Sequence, residues 1–172
     1  MKQLVASKVA EQTWILESVS APISSACEDG WYYIQNGNTL GFMTLEVDST
    51  DTDVNVVLKS DQDDAGKWYV KNLGNGYITL VNSRGKSLNV YGNSSTSGAN
   101  ILVNDTKVDA KAQIFYLKGT SIEGTFTMLT KASNLECAVM VDTNNNNNVR
   151  QYTHSSSDNI WTFIPTKAPE NN

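Results

Sequence analysis

The polar chemistry of this 172-residue chain is concentrated between Asp142 and Asn159. The run Asp142-Thr-Asn-Asn-Asn-Asn-Asn-Val, which includes Asn144, is followed by Tyr152-Thr-His-Ser-Ser-Ser-Asp-Asn. One short stretch therefore holds amides, hydroxyls, the carboxylates of Asp142 and Asp158, and His154, the only histidine. Amides, hydroxyls and carboxylates of this kind donate to and accept from other hydroxyls. A second polar stretch, Tyr91-Gly-Asn-Ser-Ser-Thr-Ser-Gly-Ala-Asn, has Asn89, Asn104 and Gln113 around it, although turn formation accounts for most of its residues. Catalysis is harder to place. A nucleophile–base pair would have to use His154, which reads first as a solvated loop histidine, and Cys27 and Cys137 stand in no nucleophile motif. The paired carboxylates lie on loops without an apolar pocket to raise one pKa, so a non-enzymatic role without a cofactor is expected. Seven of the eighteen acids crowd between Glu46 and Asp64. Asp48-Ser-Thr-Asp-Thr-Asp and Asp61-Gln-Asp-Asp have spacings that could seat a hard cation, but neither follows an EF-hand loop, and a solvated acidic loop with no metal is expected.

The elements that must position these groups recur three times. Gly30-Trp-Tyr-Tyr-Ile-Gln-Asn, Gly76-Tyr-Ile-Thr-Leu-Val-Asn and Gly124-Thr-Phe-Thr-Met-Leu-Thr each place a β-prone strand just after a glycine turn. Each unit returns to an aromatic closing strand, and Trp68, Phe115 and Trp161 lie 47 and 46 residues apart. A period of that size marks a repeat architecture. Val, Ile, Thr, Tyr and Asn dominate the repeats, cut by Gly and Asn-Ser turn signals, which is an all-β pattern. The apolar positions fall in four short groups per repeat, predicting twelve strands. Each unit alone exposes one apolar face, so three must close on one another into a threefold barrel.

Residues 2–20 differ, with Leu4, Val5, Val9, Ile15, Leu16 and Val19 spaced as a short amphipathic helix. The expected organisation is an N-terminal extension and linker over 1–28, a barrel over 29–165 with repeats at about 30–72, 73–119 and 120–165, and a disordered tail over 166–172. The 40% hydrophobic content suffices for one sizeable core. A net charge of -5 without a Lys/Arg cluster repels phosphate backbones, so no nucleic-acid partner is expected. No apolar run reaches the roughly 18 residues of a membrane span. The first residues, broken by Lys8, Glu11 and Gln12, lack a secretory apolar region, which favours a cytoplasmic location or leaderless export. Two cysteines cannot build a disulfide framework.

The second repeat, from Gly76-Tyr-Ile-Thr-Leu-Val-Asn through Gly85-Lys-Ser-Leu-Asn-Val to Gln113-Ile-Phe, resembles the ricin B-chain type of β-trefoil lectin. That family repeats a strand, a Gly-Lys-x-Leu-Asp-Val stretch, a Gly/Asn-rich loop and a closing Gln-x-Trp. The resemblance covers about four-fifths of the chain and implies a β-trefoil. It also implies sugar pockets, each built from an acid in the Leu-Asp-Val stretch, a ring on the third strand and an amide near the Gln-x-Trp. A pyranose stacks its C–H face on a ring while its hydroxyls take a charged acceptor and amide donors.

Carried over, the acidic position falls on Glu46, Asn89 and Met140, the ring position on Lys59, Asn104 and Tyr152, and the Gln position on Gly66, Gln113 and Asn159. No repeat keeps the whole set. The third is the best candidate, because Asp142 lies two residues beyond Met140 on the same strand face, giving Asp142, Asn144, Tyr152, His154, Asp158 and Asn159. Asn89, Asn104, Gln113 and Glu46 form secondary candidates. The resemblance implies a non-catalytic binder of glycans or glycoproteins, with galactose or N-acetylgalactosamine the family's usual ligand. The alternative is a protein-binding trefoil, either a subunit of a toxin or haemagglutinin-like assembly or a protease inhibitor. Residues 1–20 would then be a handle for a protein partner or a second copy.

Overall fold

In Tyr77–Asn82 every second side chain, Ile78, Leu80 and Asn82, is buried, while Tyr77, Thr79 and Val81 stay half-exposed. That is the period of a strand with one covered face. The computed structural model describes residues 27–155 and 159–170, so the helix expected over 2–20 and the handle over 1–20 lie outside the described residues. Twelve strands follow from this patterning: β1 (Gly30–Asn36), β2 (Phe42–Leu45), β3 (Val56–Lys59), β4 (Lys67–Gly74), β5 (Tyr77–Asn82), β6 (Ser87–Val90), β7 (Ile101–Asn104), β8 (Phe115–Gly119), β9 (Thr125–Thr130), β10 (Cys137–Asp142), β11 (Asn148–Thr153) and β12 (Trp161–Thr166).

Strands β1, β4, β5, β8, β9 and β12 pair antiparallel in that order, and β12 pairs back on β1, closing a six-stranded barrel. The other six form the hairpins β2–β3, β6–β7 and β10–β11. Three equivalent bridges knit these hairpins together: Asn55 with Leu102, Asn100 with Arg150 and Asn148 with Val57. The chain is a β-trefoil of three four-stranded repeats, and closure removes the edges that a lone unit would expose.

The repeats share one core. Ile34, Leu80 and Met128 are fully buried at equivalent places on β1, β5 and β9. Just beyond them Asn36, Asn82 and Thr130 end those strands, buried but hydrogen-bonded. Asn36 Oδ1 accepts from the Asn38 and Thr39 amides, Asn82 Oδ1 from the Arg84 and Lys86 amides, and the Thr130 hydroxyl pairs with Ser133. Trp68, Phe115 and Trp161 are the buried closing residues. The Trp68 indole donates to the Met43 carbonyl and that of Trp161 to the Val139 carbonyl, 2.9 Å each. Phe115 occupies the equivalent place without a donor.

Gly76 marks a repeat start for a steric reason as well as a conformational one. Its φ is +83°, and a Cβ there would stand 2.7 Å from Cε2 of Tyr116. At the other end of the chain β12 runs to Thr166, which pairs with Trp31, so strand pairing continues one residue past the expected boundary at 165. Cys27 and Cys137 are both buried free thiols, and burial pushes both up from the ordinary thiol range. No helix of the described residues is long and apolar enough to cross a membrane.

Candidate functional site

Three cross-strand pairs set the register of the hairpins: Gln35 with Phe42, Val81 with Ser87 and Leu129 with Ala138. Counted from them, Thr44, Asn89 and Met140 are equivalent, and two residues on, facing the same way, stand Glu46, Tyr91 and Asp142. On the returning strands Lys59, Asn104 and Tyr152 lie opposite Phe42, Ser87 and Ala138, so the ring positions carried over from the sequence do coincide. Glu46 does not fall where it was expected. Thr44 takes the place aligned with Asn89 and Met140, because the Leu45-Glu46-Val47 stretch that resembles Leu-Asp-Val lies two residues late in the register of the hairpin. Thr44 is buried and its hydroxyl donates to Asp63 Oδ1 at 2.6 Å, while Glu46 is exposed beyond the strand end.

In the third repeat the structure brings Asp142 and Tyr152 together. The Tyr152 hydroxyl donates to Asp142 Oδ2 at 3.2 Å, and Arg150 Nε lies 3.7 Å from the same oxygen. Both members of the first pair are half-buried. Burial first, then the hydrogen bond and charge of Asp142, hold the Tyr152 hydroxyl above the ordinary phenol range. Asn159 stands behind this pair. Its Oδ1 accepts from the Val141 amide at 2.7 Å and from Asn36 Nδ2 at 3.2 Å, tying the end of β10 to the first repeat. Asn144 sits in the exposed turn that follows Asp142. The His154 amide donates to the Glu136 carbonyl at 2.7 Å. Glu136 immediately precedes β10 and Asp142 ends it, about 20 Å away at the strand rise, so the backbone of His154 is at the far end of the hairpin. Asp158 lies outside the described residues.

The second repeat uses its amides differently from expectation. Gln113 is buried: its Nε2 donates to Asn89 Oδ1 at 3.2 Å and to the Asp105 carbonyl at 2.8 Å, and its Oε1 accepts from the Lys107 amide at 2.9 Å. It therefore holds Asn89 and the 105–107 loop in place instead of facing outward. Asn104 Nδ2 donates to Asp53 Oδ1 at 3.1 Å. Beside them a groove of about 370 Å³ is lined by Asp53, Asn89, Tyr91, Asn104, Lys107 and Lys111 among others. Tyr91 is 60% exposed, an unusual setting for a ring. Sequence reasoning missed Tyr91, yet the two-residue offset that led to Asp142 lands on it directly. Asp53 had no such signal, being 51 residues from Asn104 and joined to it only by the fold.

In the first repeat the Gln position is Gly66, where a Cβ would stand 2.9 Å from Asp63 Oδ1. Asp63 takes over, accepting from the Gly66 amide at 2.7 Å as well as from Thr44. Other acids of the 46–64 cluster are paired, Asp48 with Arg84 and Asp64 with Lys67. Among the described residues no three His, Cys, Asp or Glu side chains are grouped to hold a metal ion.

Solved structures repeat this architecture. The designed threefold-symmetric protein ThreeFoil matches with a TM-score of 0.73 and 27% identity, over 80% of this chain and 100% of its own. A Polyporus squamosus lectin bound to a human-type influenza-binding epitope matches at 0.66 and 16% identity over 80% of this chain. An exo-β-1,3-galactanase from Clostridium thermocellum matches at 0.68 and 19% over the same share. This chain spans 49% of that lectin and 30% of that galactanase. No curated protein matches the chain. The family model described as ricin-type beta-trefoil lectin domain-like matches residues 10–104. That stretch is more than half of the chain and its fold is the one found here, so the chain belongs to the ricin-type β-trefoil lectin domain-like family.

Proposed function

We propose that this chain is a non-catalytic glycan-binding module, and that the third repeat carries its principal sugar pocket. The observation behind the reading is the Tyr152 hydroxyl on Asp142 Oδ2 at 3.2 Å, which sets a ring and a carboxylate on one face of the β10–β11 hairpin. A pyranose needs that pair, a surface for its C–H face and a charged acceptor for its hydroxyls. Asn144, in the exposed turn that follows Asp142, supplies a polar group at its rim. Galactose-type glycans are the proposed ligands, following the family. The lectin and galactanase among the similar folds support a glycan role without fixing the sugar. Binding without hydrolysis fits the surroundings of Asp142. Glycoside hydrolysis sets two carboxylates across the scissile bond, whereas Asp142 faces a phenol and a guanidinium.

A glycan array followed by calorimetry on wild type, Tyr152→Ala and Asp142→Asn tests this. Each substitution should weaken galactose or lactose binding at least about tenfold, the equivalent of ~1.4 kcal/mol. A wild type silent on every glycan, or variants that bind as well as wild type, would overturn the third-repeat pocket.

A further inference from the structure

Asparagine followed by glycine occurs twice in the chain, at Asn36-Gly37 and Asn75-Gly76, and the fold treats the two pairs in opposite ways. In such a pair the glycine amide can attack the asparagine side chain, because no Cβ on the glycine hinders the approach. Asn36 is fully buried at the end of β1. Its Oδ1 accepts from the Asn38 and Thr39 amides and its Nδ2 donates to Asn159 Oδ1 at 3.2 Å. The Gly37 amide is engaged as well, donating to the Ile160 carbonyl at 2.7 Å. Asn75, by contrast, is exposed at the tip of the turn that joins β4 to β5. Asn75 and Gly76 both have left-handed φ, +53° and +83°, as the central residues of a tight hairpin turn do. Among the described residues no hydrogen bond holds the Asn75 side chain, and no carbonyl accepts from the Gly76 amide.

We propose that Asn75 is a site of spontaneous deamidation, which rebuilds the turn between the first and second repeats. The Gly76 nitrogen bonds to Cγ of Asn75, the Cγ–Nδ2 bond breaks, and Nδ2 leaves as ammonia carrying the Gly76 proton. Water then opens the cyclic imide at either carbonyl. This restores an N–H and a carboxyl group, leaving aspartate or its β-linked isomer at position 75. Water is the sole co-reactant. Asn36 is spared because a loop tip opens at little free-energy cost, whereas a buried strand end opens only near global unfolding. The β-linked product matters most to the fold, since it adds a methylene to the backbone of a crowded turn. A Cβ at Gly76 would already stand 2.7 Å from Tyr116 Cε2, and the Gly76 carbonyl accepts from the Leu117 amide at 2.8 Å. A longer backbone there pushes β5 against β8 or breaks that bond. The site goes beyond the glycan-binding reading and does not rest on it.

The test is ageing of the full chain at mildly acidic and mildly alkaline pH, followed by peptide mass mapping over time. The Asn75 peptide should gain one mass unit, faster in alkali because the attacking nitrogen reacts as its conjugate base. The Asn36 peptide should convert at least about tenfold more slowly, a factor that one or two hydrogen bonds supply. Asn75→Gly, a residue at home in left-handed φ, should abolish the change. Aged protein whose position 75 resists an aspartate-specific endoprotease, the mark of the β-linked form, should unfold at lower urea than fresh protein. Asn75→Asp carries the same charge on a normal backbone and should unfold with the fresh protein. An Asn75 peptide that stays unmodified, or an Asn36 peptide that converts as fast, would overturn the proposal. Aged chains that keep the fresh midpoint, or an Asn75→Asp variant weakened as much as they are, would remove the role of the lengthened turn.

Discussion

Tyr152 and Asp142 show how a single pair of side chains couples environment to recognition. The phenol is held above its ordinary value of about 10 by burial and then by Asp142. A group whose folded pKa is raised contributes stability that is fully present below the unfolded value and is lost as pH rises through the folded value. The hydroxyl–carboxylate bond is therefore intact throughout the neutral range and opens only in alkali. Difference absorbance titration of wild type against Tyr152→Phe isolates this phenol among the seven tyrosines. Repeating it in the Asp142→Asn background should bring the midpoint down toward the ordinary value; an unmoved midpoint would mean the bond is not made in solution. At this scale the sequence was legible where residue type and strand parity sufficed, as for Asp142 and Tyr152. It did not show where an amide also serves the fold. Gln113 and Asn159 carry the residue types of a sugar site, but Gln113 is buried. Asn159 spends its carbonyl on the Val141 amide and on Asn36.

The strands themselves were readable because alternation, glycine turns and closing aromatics recur with the repeat. The register between strands was not, since it depends on which residue faces which across a hairpin. Glu46 shows the cost of that gap: one shift of two residues along β2 moved it from the Thr44 position to the Asp142 position. The glycine turns allow a direct comparison. Gly74 and Gly76 both have left-handed φ, +86° and +83°, but a Cβ at Gly74 meets nothing within 4 Å while at Gly76 it would stand 2.7 Å from Tyr116. Gly74→Ala should cost about 1–2 kcal/mol from backbone strain alone. Gly76→Ala should cost about 1 kcal/mol or more beyond that, because the Tyr116 ring, packed at 5.4 Å on Tyr77, must move. Urea denaturation of the two variants reads the difference, and equal midpoints would remove the steric constraint.

Across the whole molecule, three asparagines from three repeats meet where the hairpins are bridged. Asn148 Nδ2 donates to Asn100 Oδ1 at 2.8 Å, and Asn100 Nδ2 donates to Asn55 Oδ1 at 2.9 Å. Asn148 Oδ1 is buried without a hydrogen-bond partner, so the network is only partly satisfied. Asn100 is both donor and acceptor, so Asn100→Ala should cost the fold about 1–3 kcal/mol by leaving the buried Asn148 amide and the half-buried Asn55 amide short of partners. Unfolding at the wild-type urea concentration would show that the network does not stabilise the trefoil. The sequence by itself determined a threefold all-β barrel, its repeat count and the strand faces, because those follow from local periodicity and from the need of each unit to bury one apolar face, and the resemblance of the second repeat implied the trefoil. Only the tertiary structure decided which residues share a site. Asp53 with Asn104, and Asn55, Asn100 and Asn148 in one network, are products of cross-strand register and of closure between repeats. Both are set by pairings some 50 residues apart along the chain, which no local pattern encodes.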